Sequence, residues 1–201
     1  MSFWIRGLPL IAGIAAVGCS GPAPDSAVAG NEPAAARTYT AEALLAWPRA
    51  GEANWRVADG GAVQADAGSG GYLVTPDDYA DFDISVEFWV TPEANSGVFV
   101  RCTDPSAPGA ANCYEVNIFD QRPDQTYRTG GIVNVAAPSR VVYTGGRWNR
   151  MEVSARGPEL RVVLNEQTVV EVRDERLPEG RIALQYGSGT VLFRNVRIER
   201  R

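Results

Sequence analysis

Alternation of apolar and polar residues dominates the chain from residue 55 to the end. In residues 82–90 every second residue is Phe, Ile or Val, and three of the four residues between them are polar. Such alternation predicts a strand with one buried face. Further runs of this kind lie at residues 98–102, 114–119, 160–164, 170–172, 182–186 and 191–198.

Turn and helix signals complete this pattern. Asn165 and Glu166 separate two apolar runs, which predicts a hairpin. Only residues 41–47 favour a helical turn or two, which Pro48 ends. Many short strands with almost no helix predict an all-β fold, an antiparallel β-sandwich of two sheets. We assign residues 38–201 to this single domain, since no internal repeat is found.

The N-terminal region carries a targeting signal. Residues 8–17 are apolar, a run of about ten residues that is too short to span a bilayer and is typical of a secretory signal. It leads into residues 16–19 (AVGC), which resemble the bacterial lipobox, whose cysteine becomes lipidated. We therefore predict a signal peptide at 1–18, lipidation of Cys19 and a flexible tether at 19–37, rich in Ala, Pro, Gly and Ser. The alternative is ordinary signal cleavage with Cys19 incidental.

These features predict a location in the cell envelope. Ser20 follows Cys19, which resembles outer-membrane sorting, so we expect a lipid-anchored protein of the outer membrane that faces the periplasm. The lipid would be its only membrane contact. Cys102 and Cys113 flank a Pro/Gly/Ala-rich loop between two strand-like runs, and an oxidising periplasm would join them in a disulfide. Metal binding by the two thiols and a catalytic thiol are weaker alternatives.

Composition narrows the chemistry. The chain has no histidine and no lysine, so all 19 positive side chains are arginine. Histidine bases, histidine metal sites, Schiff-base lysines and the P-loop lysine are excluded. A net charge of −5 offers no basic surface for nucleic acid. Carboxylates, hydroxyls or a bound ion must therefore carry any proton chemistry.

One set of residues lies opposite the predicted core face of its strands. It mixes carboxylates, an arginine, amides and rings, as sugar-binding surfaces do: Glu87, Trp89, Phe99, Arg101, Glu115, Asn117 and Gln185. If their strands are neighbours, they form one carbohydrate-binding surface. The alternative is the solvated outer face that every sandwich has.

Two segments, 95–101 (NSGVFVR) and 114–120 (YEVNIFD), resemble the central signatures of the 3-keto-disaccharide hydrolase domain family. Other pieces match in order: residues 55–60, 71–75, 79–82, 146–149, 164–165, 180–185 and 193–196. The resemblance covers residues 55–197. It implies a concanavalin A-like, LamG-like jelly roll that acts on 3-keto-sugars.

In a 3-keto-glycoside the ketone acidifies the C2 proton, so one base can start elimination of the C1 substituent, and water can then add back. We expect Glu115 to be the base and Arg101 the stabiliser of the enolate oxygen. Glu87 is the candidate second carboxylate. Sugar hydroxyls and rings would be bound by a further set: Asn95, Ser96, Asn117, Gln185, Trp89 and Phe99.

Other hypotheses stay open at this point. Many relatives carry a histidine where this chain has Tyr186, which leaves a non-catalytic carbohydrate-binding module as the main alternative to an enzyme. An envelope scaffold that binds another protein is a third. Asp120 is expected to hold the following loop or an ion. No cofactor is required, although Ca²⁺ held by Asp104, Asp120 and Asp124 is a minor hypothesis. The oligomeric state is not predicted.

Overall fold

The computed structural model describes residues 1–4 and 36–201. Most of the predicted signal peptide, Cys19 and the predicted tether up to residue 35 lie outside these ranges and stay predictions. The described residues contain one short α-helix, α1 (Ala41–Leu45), two 3₁₀ turns (Asp59–Gly61 and Gln125–Tyr127) and thirteen strands. The strands are β1 (Arg37–Tyr39), β2 (Arg49–Gly51), β3 (Arg56–Ala58), β4 (Ala62–Ala65), β5 (Gly71–Val74), β6 (Phe82–Val90), β7 (Asn95–Cys102), β8 (Tyr114–Ile118), β9 (Trp148–Arg156), β10 (Glu159–Leu164), β11 (Gln167–Arg173), β12 (Arg181–Ser188) and β13 (Val191–Arg200). Within the described ranges no helix is long and apolar enough to cross a membrane.

The strands form two antiparallel sheets, as the alternation predicted. The back sheet has the order β11-β10-β9-β6-β13-β4-β3, and β1 also pairs with β13. The front sheet has the order β2-β5-β12-β7-β8. The fold is a concanavalin-like jelly-roll sandwich, so the predicted fold class is confirmed. β1 starts at Arg37, within the predicted tether, because Arg37 pairs with Ile198.

The inward faces of both sheets build the core. The strand β6 alternates without a break between buried and half-buried residues over all nine positions. Phe82, Phe88 and Phe193 of the back sheet and Leu73 and Leu184 of the front sheet are fully buried. Burial of one such side chain stabilises the fold by about 1.5–3 kcal/mol. The core thereby leaves the outward face of each sheet free to bear polar residues.

Local interactions define the start of α1 and the turn between β10 and β11. The Thr40 hydroxyl accepts a hydrogen bond from the Ala43 amide and caps α1. Asn165 and Glu166 both adopt positive φ, at 49° and 66°, as a two-residue hairpin turn requires. This turn joins β10 to β11 as predicted.

A β-bulge interrupts β7 at its end. Phe99 pairs with Ala183 and Cys102 pairs with Arg181, so two residues of β7 oppose one residue of β12. Arg101 has a φ of 54°, in the left-handed region. On the facing chain, a Cβ at Gly180 would lie 2.5 Å from the Cys102 carbonyl oxygen, so only glycine fits there. The bulge shifts the alternation by one residue beyond Val100.

The bulge turns Arg101 away from the outward face, which corrects our expectation that Arg101 faces Glu115. Its guanidinium is 1% exposed. It donates to the carbonyl oxygens of Ala80 at 2.6 Å, Gly157 at 2.7 Å and Leu177 at 3.1 Å. It also lies 3.3 Å from the Asp81 carboxylate. Arg101 therefore joins three loops at one end of the sandwich and has a structural role.

The same shift brings Cys102 to the outward face. There it forms the predicted disulfide with Cys113, with a Cα–Cα distance of 4.2 Å. The disulfide packs with Phe99 and Ala183 on the front sheet. It closes the loop of residues 103–112, which we call the disulfide loop.

Replacement of Arg101 tests this structural role. We expect Arg101→Met to lower the free energy of unfolding by about 3–5 kcal/mol, because buried carbonyl groups would lose their donors. Urea unfolding with the disulfide intact measures the change. The matched control is Arg161→Met on β10, where an exposed ion pair with Glu171 is lost and less than about 1 kcal/mol should change. Similar losses in the two variants would contradict the assignment.

Candidate functional site

Two rows of residues cross the outward face of the front sheet. Strand register places Tyr72, Gln185, Gly97 and Asn117 in one row, from β5 through β12 and β7 to β8. The neighbouring row is Val74, Ala183, Phe99 and Glu115. We call this surface the front face. Three residues of the predicted binding surface, Phe99, Glu115 and Asn117, lie on it together with Gln185.

An aromatic pair and an amide lie at its centre. The rings of Tyr72 and Phe99 meet edge to face, with centroids 5.3 Å apart. The Gln185 Nε2 donates to the Tyr72 hydroxyl at 3.1 Å. This leaves the phenolic hydrogen of Tyr72 for another acceptor. Burial raises the pKa of Tyr72, so this hydrogen is retained at neutral pH.

Glu115 is a half-buried carboxylate on this face. Burial raises its pKa above the ordinary value of 4.5, because charge is less well solvated there. Among the described residues no arginine lies within 4.0 Å of its oxygens. The negative charge of Glu115 also raises the pKa of Tyr72, so the two groups share one electrostatic environment. A carboxylate of this kind suits a general base.

Arg122 supplies positive charge to the same environment. It lies four residues after the end of β8, and its charge lowers the pKa of Glu115, although burial outweighs this effect. Its Nε is buried, and no described residue accepts a hydrogen bond from it. Arg122 therefore adds a fixed positive charge to the environment of Glu115, which is the role that we expected of Arg101.

A cleft of about 450 Å³ adjoins the front face at Tyr72 and Gln185. One wall is formed by Ser106, Ala107 and Pro108 of the disulfide loop. The opposite wall is formed by residues 69–71 and the end of β2, and Tyr186 and Gly187 complete the lining. We call it the front cleft.

The other predicted binding residues on β7 and β8 are less accessible. Phe99 is 1% exposed, and Asn117 is fully buried with its amide nitrogen 2.6 Å from the Tyr127 carbonyl oxygen. Ser96 points inward and donates to the Gln185 carbonyl at 2.6 Å. Asn95 lies against Gly187 at the border of the front cleft. Of the predicted residues, Glu115 and Gln185 thus remain exposed enough to meet a ligand on the front face.

Glu87 and Trp89 lie on the wrong sheet for the predicted site. Both project from the outward face of β6 in the back sheet, where Trp89 pairs with Trp148. The Glu87 carboxylate accepts a hydrogen bond from Arg194 Nε at 2.7 Å. The expectation that Glu87 is a second carboxylate beside Glu115 is therefore wrong, and Trp89 does not belong to the front face.

The three aspartates of the calcium hypothesis each hold their own loop. Asp120 accepts from the Thr129 hydroxyl and the Thr144 amide, both at 2.6 Å, as expected for a loop anchor. Asp104 accepts from Ser106, and Asp124 caps a turn through the Thr126 amide. Within residues 36–201 no three His, Cys, Asp or Glu side chains are grouped as a metal site would require.

Sequence reasoning missed Tyr72 and Arg122. Tyr72 alternates with the inward Leu73 in β5, but Val74, which shares the outward side with Tyr72, is also apolar, so the strand offers no clear polar face. Its position beside Gln185 depends on the order of the strands, which alternation does not give. Arg122 lies outside any strand, so no periodic signal could have placed it.

Comparison with known proteins adds to this geometry. A family model described as 3-keto-alpha-glucoside-1,2-lyase-like domain matches residues 41–199. No curated protein sequence matches the chain.

Solved structures share the fold. A proposed glycosyl hydrolase from Parabacteroides distasonis is 17% identical, with a TM-score of 0.64 over 73% of this chain and 83% of that chain. A second one from the same organism is 26% identical, with a TM-score of 0.62 over 72% and 88% of the two chains. A carbohydrate-binding module from Bacillus subtilis is 15% identical, with a TM-score of 0.61 over 76% and 96%.

The burial of Glu115 has a measurable effect on stability. Because its pKa is raised in the folded state, the folded protein holds this proton more tightly than the unfolded chain. The resulting stability is fully present below the unfolded pKa and is lost as pH rises through the folded value. We therefore expect Glu115→Gln to melt at a higher temperature than the parent at pH 7, with the difference vanishing in acid. An equal or lower melting temperature at pH 7 would contradict the burial of a charged Glu115.

Proposed function

The chain belongs to the 3-keto-alpha-glucoside-1,2-lyase-like domain family, and on this premise we propose that it cleaves 3-keto-glycosides by elimination across C1 and C2. A carbohydrate-related function agrees with the family and with the similar glycosyl hydrolase and carbohydrate-binding structures. The observation that carries the proposal is the half-buried Glu115 on the front face, whose pKa is raised by burial and held back in part by the charge of Arg122.

The proposed reaction needs one base and one stabiliser of negative charge. Glu115 takes the C2 proton, and the electron pair of that C–H bond moves into an enolate whose oxygen is the former C3 ketone. The enolate then re-forms the ketone and expels the C1 substituent, which leaves with a proton as an alcohol. Addition of water across the new C1–C2 double bond returns a 3-keto-sugar. Protons and electrons balance without a redox partner.

The residues of the front face divide these tasks. Arg122 stabilises the enolate oxygen through its fixed charge, which already acts on Glu115. Tyr72 is oriented by Gln185 and donates its phenolic hydrogen to an oxygen of the substrate. The edge-to-face Tyr72 and Phe99 rings keep Tyr72 in place. Arg101, in contrast, supports the sheet from behind and takes no part in the chemistry.

A non-catalytic carbohydrate-binding module is the second candidate. The half-buried Tyr72 ring and the Gln185 amide would suit a sugar ring even if Glu115 removed no proton. This candidate predicts binding of unoxidised glycans without turnover, which calorimetry and product analysis on the same protein distinguish from the lyase.

Loss of the carboxylate should abolish most of the activity. We expect Glu115→Gln to lower kcat/KM on 3-keto-trehalose by about 10²–10⁴-fold, the usual contribution of a general base. In the parent protein, kcat/KM should rise with pH through the pKa of Glu115, which lies above 4.5, because only the carboxylate accepts a proton. Initial rates over pH 4–8, an assay range of about four units around that group, provide the measurement.

The matched control is Glu87→Gln, since Glu87 is a half-buried carboxylate on the other sheet. Its rate should equal that of the parent. An unchanged rate in Glu115→Gln, or an equal loss in the two variants, would rule out Glu115 as the base.

Arg122 is tested by the pH profile rather than by the rate alone. Loss of its charge in Arg122→Gln should raise the pKa of Glu115 further, so the acidic limb of kcat/KM should move to higher pH. The control Arg161→Gln, on β10 of the back sheet, should leave the limb in place. A limb that stays fixed or moves to lower pH in Arg122→Gln would show that Arg122 does not act on Glu115.

A further inference from the structure

We propose that the front cleft is the subsite for the group that leaves from C1, and that it accepts an uncharged ring and excludes anions. This inference rests on the proposed function and adds a substrate class to it. It concerns which aglycone the protein selects, whereas the chemistry at Glu115 concerns the sugar that carries the ketone.

The position of the cleft follows from the residues it shares with the front face. Tyr72 and Gln185 line the cleft, and the charge of Glu115 acts on Tyr72. A sugar ring that offers its C2 proton to Glu115 therefore lies over the neighbouring row of the sheet. A ring attached at C1 that extends past Tyr72 enters the front cleft. The Tyr72 hydroxyl then lies between the two rings, where the glycosidic oxygen must be.

The walls of the cleft carry no charge. Among the residues that the structure describes, no arginine, aspartate or glutamate lines it, although 21% of the chain is charged. Much of the wall is glycine backbone, which close approach requires. A Cβ at Gly187 would lie 2.8 Å from the Asn95 amide nitrogen, and one at Gly71 would lie 2.9 Å from the Ala53 amide nitrogen. Glycine at these two positions lets the wall pack closely against the Asn95 side chain and the Ala53 backbone, and it adds no side chain that could carry a charge.

Two acidic groups act on residues that line the cleft. Glu52 accepts a hydrogen bond from the Ser69 hydroxyl at 3.2 Å, and Glu115 acts on Tyr72 from the other side. A phosphate or carboxylate on the leaving group would give up water and find no cation in the lining. The Glu52 carboxylate, which is hydrogen-bonded to the lining residue Ser69, is a like charge and disfavours the anion further. Neutral leaving groups bear neither cost.

The size and apolar surfaces favour a ring. A volume of about 450 Å³ lies within the range of about 300–1,000 Å³ typical of small-ligand sites. The Tyr72 ring and the buried Pro108 supply apolar surface on two sides. The apolar face of a hexose, or a phenol, matches such surfaces. The side chain that is best placed to change this selectivity is Ala107, because it is exposed and belongs to the wall formed by the disulfide loop.

The test compares neutral and anionic leaving groups on one 3-keto-glucoside. We expect kcat/KM to be at least about tenfold higher with glucose as the leaving group than with glucuronic acid, since like charges disfavour the anion. Ala107→Arg places a cation in the wall and should narrow or reverse this ratio. Ala111→Arg lies in the same loop but outside the lining, and it should keep the parental ratio. Thermal melting verifies that both variants fold.

Binding separates this inference from the proposed function. Calorimetry on Glu115→Gln measures affinity for the same two 3-keto-disaccharides without turnover, and the neutral one should bind more tightly. If the parent protein cleaves no 3-keto-glycoside while this binding preference persists, the proposed function fails and the cleft assignment stands. Equal binding of the neutral and anionic compounds, or equal effects of arginine at 107 and at 111, would overturn the cleft assignment whatever the activity.

Discussion

The bulge at Arg101 is the constraint on which the rest of the front sheet depends. One additional residue in β7 reverses the alternation, so that Arg101 turns inward and Cys102 turns outward. The inward arginine collects carbonyl groups from three loops, which would otherwise lie unsatisfied at the end of the sandwich. The outward cysteine reaches Cys113 and closes the loop that walls the front cleft. The stability of the core and the shape of the front cleft thus both depend on this β-bulge.

Alternation in the sequence was enough to predict β6–β8, β10–β13, the sandwich and the hairpin turn, because each depends on local apolar periodicity, whereas the short strands β1–β5 and β9 were not among the alternating runs. It failed in two ways at the site. The bulge reversed the direction of Arg101, which no residue pattern revealed. Glu87 and Glu115 both point away from the core, yet their strands lie in different sheets. Alternation shows which side of its own strand a residue occupies, whereas the order of the strands decides which residues become neighbours.

The electrostatics of the front face follow from the absence of histidine and lysine. Arginine keeps its charge at any working pH, so a carboxyl group is the titratable group available to accept a proton near neutrality. Burial moves the pKa of Glu115 towards the pH at which a base works well, and Arg122 limits how far it moves. Above its pKa, Glu115 carries a charge in a half-buried position, and this charge lowers the stability of the folded protein.

The disulfide between Cys102 and Cys113 separates the variable part of the hairpin from its scaffold. Because the bond joins the two strands at the base of the loop, the register of β7 and β8 does not depend on what residues 103–112 contain. Those residues can change in length and sequence while Glu115 stays where the strands hold it. The sequence of one wall of the front cleft can thereby vary on a constant framework, as antibody loops do.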